Sequence, residues 1–173
     1  MTCPEFGSVS SDISFSPATS DHESVLLAWR NNPNVRHYSQ STKIINETSH
    51  SSWFSARLTR MTLEPIFIFS IQQMNIGMVR LDKIQSEPNV FEISIIVDEF
   101  YQNRGYAKFM ILQILRFATK ELSAFQFVAY IHHANSHSKR LFTKVGFVNV
   151  PSDSNKFQKF IFKGDLAPLS THV

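Results

Sequence analysis

At 173 residues the chain is long enough for one domain with a real core, and 16 phenylalanines imply that large rings fill much of it. The formal charge of +3 suits attraction of cofactor phosphates and is too small for a dedicated nucleic-acid binder. A single cysteine, Cys3, excludes an intramolecular disulfide and a cysteine metal cluster. The start, MTCPEFGSVSSD, has neither the basic nor the apolar region of a signal peptide, and no apolar run reaches membrane-spanning length. The expectation is a soluble cytoplasmic protein.

Residues 1–11 are Ser-rich and read as a flexible tail. Ile13 and Phe15 then alternate with Ser14 and Ser16, a short strand ended by Pro17. Ser20-Asp21-His22-Glu23 has the form of a capping box, opening a helix with Val25, Leu26 and Trp29 on its apolar side. Asn31-Asn32-Pro33 stops that helix. Asn46 caps a second one, with Trp53, Phe54 and Leu58 on one side. Residues 66–71 read as a strand, Met74-Asn75 as a turn, and residues 76–81 as the hairpin partner. After a turn at residues 86–89 comes a central strand, where Ile93, Ile95 and Val97 alternate with Glu92, Ser94 and Ile96.

The helix that follows carries Met110, Ile111, Ile114, Leu115 and Ala118 at helical spacing. Its entry, Gln102-Asn103-Arg104-Gly105-Tyr106-Ala107, offers no Ser, Thr or Asp to cap the first free amides. Bare amides, one permissive Gly and basic Arg104 and Lys108 suit a phosphate cradle; a plain left-handed turn with solvated amides would look the same. The second and third glycines of a dinucleotide-binding loop are missing. Residues 125–131 form a strand with Phe125, Phe127 and Ala129 alternating, and Asn135 to Ser138 open a short helix bearing Leu141, Phe142 and Val145, closed by Gly146. Two paired strands, residues 147–150 and 157–162, complete a single domain over residues 12–165, and residues 166–173 read as a second tail.

Gln102-x-x-Gly105-x-Ala107 resembles the pyrophosphate loop of the GNAT acyl-CoA N-acetyltransferase superfamily. Asn135-x-x-Ser138-x-x-Leu141-Phe142-x-Lys144-x-Gly146-Phe147 resembles the second half of that family's cofactor site, and the order of elements is the family's order. Trp29-Arg30-Asn31-Asn32-Pro33-Asn34-Val35-Arg36 is similar to a stretch in the branch of ribosomal-protein N-terminal and amino-sugar-nucleotide acetyltransferases. The resemblance implies an α/β (α+β) GNAT fold: a mixed, mostly antiparallel seven-stranded sheet flanked by about four helices, its central strands splayed to hold acetyl-CoA. It implies that backbone groups of Ile95, Ile96 and Val97 pair with the acetyl carbonyl and pantetheine. Amides of Gln102, Asn103, Arg104, Gly105, Tyr106 and Ala107 would hold the pyrophosphate without a metal ion, and the side chain of Asn135 would touch the cofactor or simply cap its helix.

Acetyl transfer to an amine needs a neutral nucleophile, a place for its proton and an acid for the departing thiolate. Glu92, on the strand beside the expected acetyl group, is the candidate base; Ser94 binds substrate or fills space. Where many family members have Tyr, this chain has Phe142, which has no proton to give, so Tyr130 and Ser138 are the candidate replacements. His132, His133 and His137 have no acidic partner close in sequence, so the expectation is no metal and a substrate-facing His132. Arg30, Arg36, His37, Tyr38 and Arg80 are candidates for nucleotide phosphates and bases. The expected function is acetylation of a primary amine, best matched by a nucleotide-linked amino sugar or similar small molecule. A protein N-terminal acetyltransferase and a CoA-binding module without turnover are the alternatives. The expected partners are a small-molecule amine, no nucleic acid and no membrane, in a monomer or homodimer.

Overall fold

The computed structural model describes residues 13–166; residues 1–12, Cys3 among them, and 167–173 lie outside the described residues. Seven strands, β1 (Ile13–Pro17), β2 (Ile66–Ile71), β3 (Met74–Lys83), β4 (Val90–Val97), β5 (Gln126–His132), β6 (Phe147–Val150) and β7 (Phe157–Phe162), form one sheet in the order β1-β2-β3-β4-β5-β7-β6. Every neighbouring pair is antiparallel except β4 and β5. Five helices accompany them: α1 (Glu23–Asn31), α2 (Pro33–His37), α3 (Glu47–Leu58), α4 (Tyr106–Glu121) and α5 (Ser136–Val145).

Strand alternation divides the apolar side chains between two cores. On one face Phe91, Ile93, Phe127, Ala129 and Ile131 meet Met110, Ile111, Ile114 and Leu115 of α4 and Phe142 and Val145 of α5. On the other, Ile66, Ile68 and Met78 meet Leu26 and Trp29 of α1 and Phe54 of α3, with Ile96 partly buried against them. Leu166, in the expected C-terminal tail, packs against the first core. Among the described residues no helix is long and apolar enough to cross a membrane.

Several sequence expectations are corrected at element ends. A single 3-10 turn, Ser20–His22, precedes α1, and its cap is Thr19, whose N–H donates to His22 Nδ1 at 3.0 Å. The box therefore closes through His22, one residue earlier than expected. Pro33 ends α1 and also starts α2, because Asn32 accepts from the Asn34 N–H at 2.9 Å and proline tolerates the first helical position. On α3 the buried positions are His50, Phe54 and Arg57, while Trp53 is 39% exposed. The β2–β3 turn is Gln72-Gln73, both at positive φ (47° and 67°), and Met74 already pairs with Ile71. Phe125 lies outside β5 and is exposed; its N–H donates to the Asn89 carbonyl at 2.9 Å.

Candidate active site

β4 and β5 pair only at Val90↔Gln126, Phe91↔Phe127 and Glu92↔Val128. Beyond that, β4 stays with β3 as far as Val97, and β5 turns to β7 as far as His132, so their facing edges part. The Asp98 N–H donates to the Ile76 carbonyl at 2.9 Å, which fixes the parity of the strand. Backbone groups of Ser94 and Ile96 therefore turn to β3, those of Ile93 turn to β5, and those of Ile95 and Val97 turn to the gap. This corrects the expectation for Ile96, whose backbone is committed to Met78. The Val97 carbonyl already accepts from the side-chain amide of Gln102 at 3.0 Å.

Beyond β4, α4 begins without a side-chain cap at Gly105, where φ is +83°. Asn103 also sits at positive φ, 60°, and together the two left-handed residues turn the chain into the helix. The first four amides of a helix have no partner within it, and they carry the positive end of its dipole. A Cβ placed on Gly105 would meet nothing within 4 Å, so the turn lies open. Arg104 lies over the Tyr101 ring, 5.8 Å from its centroid. A slot edged by unpaired strand amides, with an open helix N-terminus beyond it, fits a ligand with an amide-bearing arm and a diphosphate. Asn135 caps α5 by accepting from the Ser138 N–H at 3.0 Å.

The other side of the slot is polar. Glu92 and Ser94 on β4 share a face with Arg80 and Asp82 on β3, since Asp82 pairs with Glu92 and Arg80 with Ser94. Val128, Tyr130 and His132 continue that face along β5. Burial pushes the Glu92 carboxyl above the usual carboxylate range; the Asp82 charge adds to the rise and Arg80 opposes it. Over this face stands Arg30, at the end of α1. Its guanidinium proton affinity is lowered by burial and then by Arg80 and Arg36. Arg30 Nη2 donates to the Ser41 carbonyl at 2.9 Å, whereas Nη1 is buried with no hydrogen-bond acceptor.

The distinctive Trp29–Arg36 segment is the scaffold for this arrangement. Trp29 Nε1 donates to Asp98 Oδ2 at 2.8 Å, tying α1 to the end of β4. Asn31 bonds both backbone groups of Ile45, at 2.8 and 2.9 Å, and Arg36 donates to the Asn31 and Thr42 carbonyls. A second group gathers at the end of β5, where the His132 ring lies 5.8 Å from Tyr38 and 6.3 Å from His37. Lys156, before β7, donates to the Ser39 and Gln40 carbonyls at 3.3 and 3.2 Å and so joins the segment after α2 to this corner. Burial, then Lys156, His37 and His133, lower the proton affinity of His132, whose Nδ1 accepts from the Ala134 N–H at 3.1 Å.

The predicted substrate residues thus fall into two groups, Arg30 with Arg80 and Tyr38 with His132. Tyr130 lies on the polar face, whereas Phe142 is buried in the opposite core, 5.0 Å from the Phe147 ring. Tyr130 and Phe142 therefore lie on opposite faces of the sheet. Ser138 lies in the first turn of α5, beneath the Asn135 cap. Among the described residues no three His, Cys, Asp or Glu gather as a metal site. Sequence reasoning missed Asp82, Arg57 and Lys156. Alternation from Arg80 would have placed Asp82; the others reach the site only through tertiary packing.

The described residues thus form a mixed sheet parted between its two parallel strands, with an uncapped helix beyond the gap. The acetyltransferase (GNAT) domain profile matches residues 12–148, and the chain belongs to that family. It is an N-acetyltransferase that uses acetyl-CoA and acts on an amine. Solved structures agree in fold. The spermidine N-acetyltransferase from Vibrio cholerae, in complex with CoA and spermine, is 16% identical with a TM-score of 0.75, covering 87% of this chain and 93% of its own. A ribosomal L7/L12 alpha-N-protein acetyltransferase in complex with coenzyme A is 11% identical with a TM-score of 0.76, over 89% and 95%. An N-acetyltransferase from Staphylococcus aureus Mu50 is 21% identical with a TM-score of 0.71, over 90% and 99%. No curated protein sequence matches the chain.

Proposed function

We propose that this enzyme acetylates the primary amine of a nucleotide-linked amino sugar, or a similar small anionic amine. The observation that carries the reading is the mutual approach of Arg30, Arg36 and Arg80, the last of them next to Glu92, with one buried Arg30 N–H lacking an acceptor. A desolvated guanidinium gains most from a charge-assisted partner such as a phosphate oxygen. A polyamine acceptor would meet repulsion at the same place. His132 and Tyr38 would border the base or sugar.

In this reading acetyl-CoA, the co-substrate, brings the acyl group, and its diphosphate lies on the amides of residues 102–107. The backbones of Ile95 and Val97 hold its amide arm, and Asn135 orders the helix beside it. Glu92 takes a proton from the acceptor as the C–N bond forms. The sulfur leaves as the C–S bond breaks, and it takes a proton from water, Tyr130 or Ser138, since Phe142 has none to give. Arg30, Tyr38, Arg80 and His132 orient the acceptor.

The test compares kcat/KM for a nucleotide-linked amino sugar, the free sugar, spermidine and peptides. The conjugate should exceed the free sugar by about tenfold or more, the scale of one charge-assisted contact of about 1.5 kcal/mol. Equal values would overturn the anionic-acceptor reading, and preferred turnover of peptides would replace it with a protein N-terminal substrate. Glu92→Gln should lower kcat by about 10²-fold, the usual loss for a general base, with acetyl-CoA affinity retained. Full activity would remove Glu92 from the chemistry.

A further inference from the structure

Asp82 stands directly across the β3–β4 pair from Glu92. Both its oxygens are engaged by cations: Arg57 Nη1 donates to Oδ1 at 2.6 Å, and Arg80 Nε donates to Oδ2 at 2.7 Å. Arg57 is 3% exposed, donates also to the Leu81 carbonyl at 2.7 Å and lies 3.6 Å from Glu64. Asp82 is thus the nearer of two carboxylates on the buried Arg57 guanidinium, and its position is fixed by that contact. Glu92 has no ion pair of its own among the described residues. Directly opposed residues of such a hydrogen-bonded pair are about 5.5 Å apart at Cα, where like charges disfavour one another.

We propose that Asp82 is a positioning residue for acetyl transfer: held on both oxygens by Arg57 and Arg80, it stands directly across the strand pair from Glu92 and strengthens it as the base. This rests on the reading of Glu92 as the base. The step it serves moves one proton from the acceptor nitrogen to a Glu92 oxygen while the C–N bond forms and the C–S bond breaks. A carboxylate facing a fixed negative charge holds that proton more firmly than an ordinary one, so it is a stronger base at neutral pH. The direction of the Glu92 shift agrees, with burial first and Asp82 second. The groups around Glu92 are Asp82 and Arg80 from β3, with Arg57 and Glu64 behind Asp82, Val128 and then Tyr130 from β5, and Arg30 of α1, which acts on Arg80.

The test is a carboxyl-carbon NMR titration of Glu92 in the full chain, its resonance assigned by its loss in Glu92→Gln. Asp82→Asn should move the titration, and the acid limb of kcat/KM, to lower pH. Arg80→Met should move the titration the other way, because it removes the opposing cation. A merely structural role for Asp82 would leave the titration unmoved in Asp82→Asn. Should Asp82→Asn not fold, Asp82→Ser replaces it in the same titration, with the same shift expected and an unmoved titration counting against the role. An unmoved titration with an inactive Glu92→Gln overturns the role of Asp82 and leaves Glu92 as base. A moved titration with full activity in Glu92→Gln overturns the base assignment, and the role in transfer with it.

Discussion

Gly77 offers a test of how tightly the slot is held from behind. It lies on β3 opposite Val97, and a Cβ built there would sit 2.5 Å from the Ile96 carbonyl oxygen, 3.0 Å from Met110 Cε and 3.1 Å from Val97 Cα. The methionine methyl can swing aside. The Ile96 carbonyl cannot, because it belongs to the ladder with Met78. In Gly77→Ala, β4 must therefore retreat by about half an ångström at Ile96 and Val97, and overpacking of this kind costs about 1–3 kcal/mol. At this chain length that lowers Tm by about 3–10 °C. Since Ile95 and Val97 present the backbone groups facing the slot, kcat/KM for acetyl-CoA should fall by about tenfold or more, a misplacement penalty and not a lost contact. Calorimetric melting and steady-state kinetics on the same preparation read both effects. An unchanged Tm would refute the rigidity assigned to β4. A lowered Tm with unchanged kinetics would mean that the strand edge is not part of the site.

Two further outcomes bear on the cofactor side. Gly105→Val has room for its side chain, since a Cβ there meets nothing within 4 Å, but φ of +83° strains any β-branched residue. Acetyl-CoA affinity should drop by about 10- to 100-fold as the amides lose their aim, and an unchanged Kd by titration calorimetry would take the loop out of the site. Phe142 is 3% exposed, so Phe142→Ala should destabilise by about 3–5 kcal/mol in urea unfolding. Phe142→Tyr should keep or raise kcat, with the basic limb of the pH–rate profile moved if the phenol becomes the acid; a fall beyond tenfold in the folded variant would count against that proton route.

The β4–α4 unit was legible because hydrophobic period changes from two residues to a helical turn across Gly105, and because no capping side chain interrupts the change. The α5 helix was legible for a similar reason, with Asn135 at its start and Gly146 at φ +113° at its end. What escaped did so for physical causes. Gln72 and Gln73 carry no preference for the left-handed region, so the turn was placed by the register of β2 on β3 and not by its own residues. His50 and Arg57 face inward on α3, and polar residues there disguise which side is buried. The bond from Arg57 to Asp82 spans 25 positions and depends on how α3 lies on the sheet. Parity along β4, which separates Ile96 from Ile95 and Val97, has meaning only once the neighbouring strand is known.

Three residue pairs are all that join β4 to β5 within the sheet, and they lie at one end of both strands. Mechanically this is a hinge with its pin at Glu92 and Val128. The five residues from there to Val97 make a lever about 16 Å long. Turning one half of the sheet by about 5° moves the far mouth of the slot by about 1.4 Å, while the floor beside Glu92 moves hardly at all. Any such rotation would widen the slot at the end nearest the helix terminus, and the core that both strands share with α4 and α5 would resist it. The end at Glu92 and Val128 keeps its geometry.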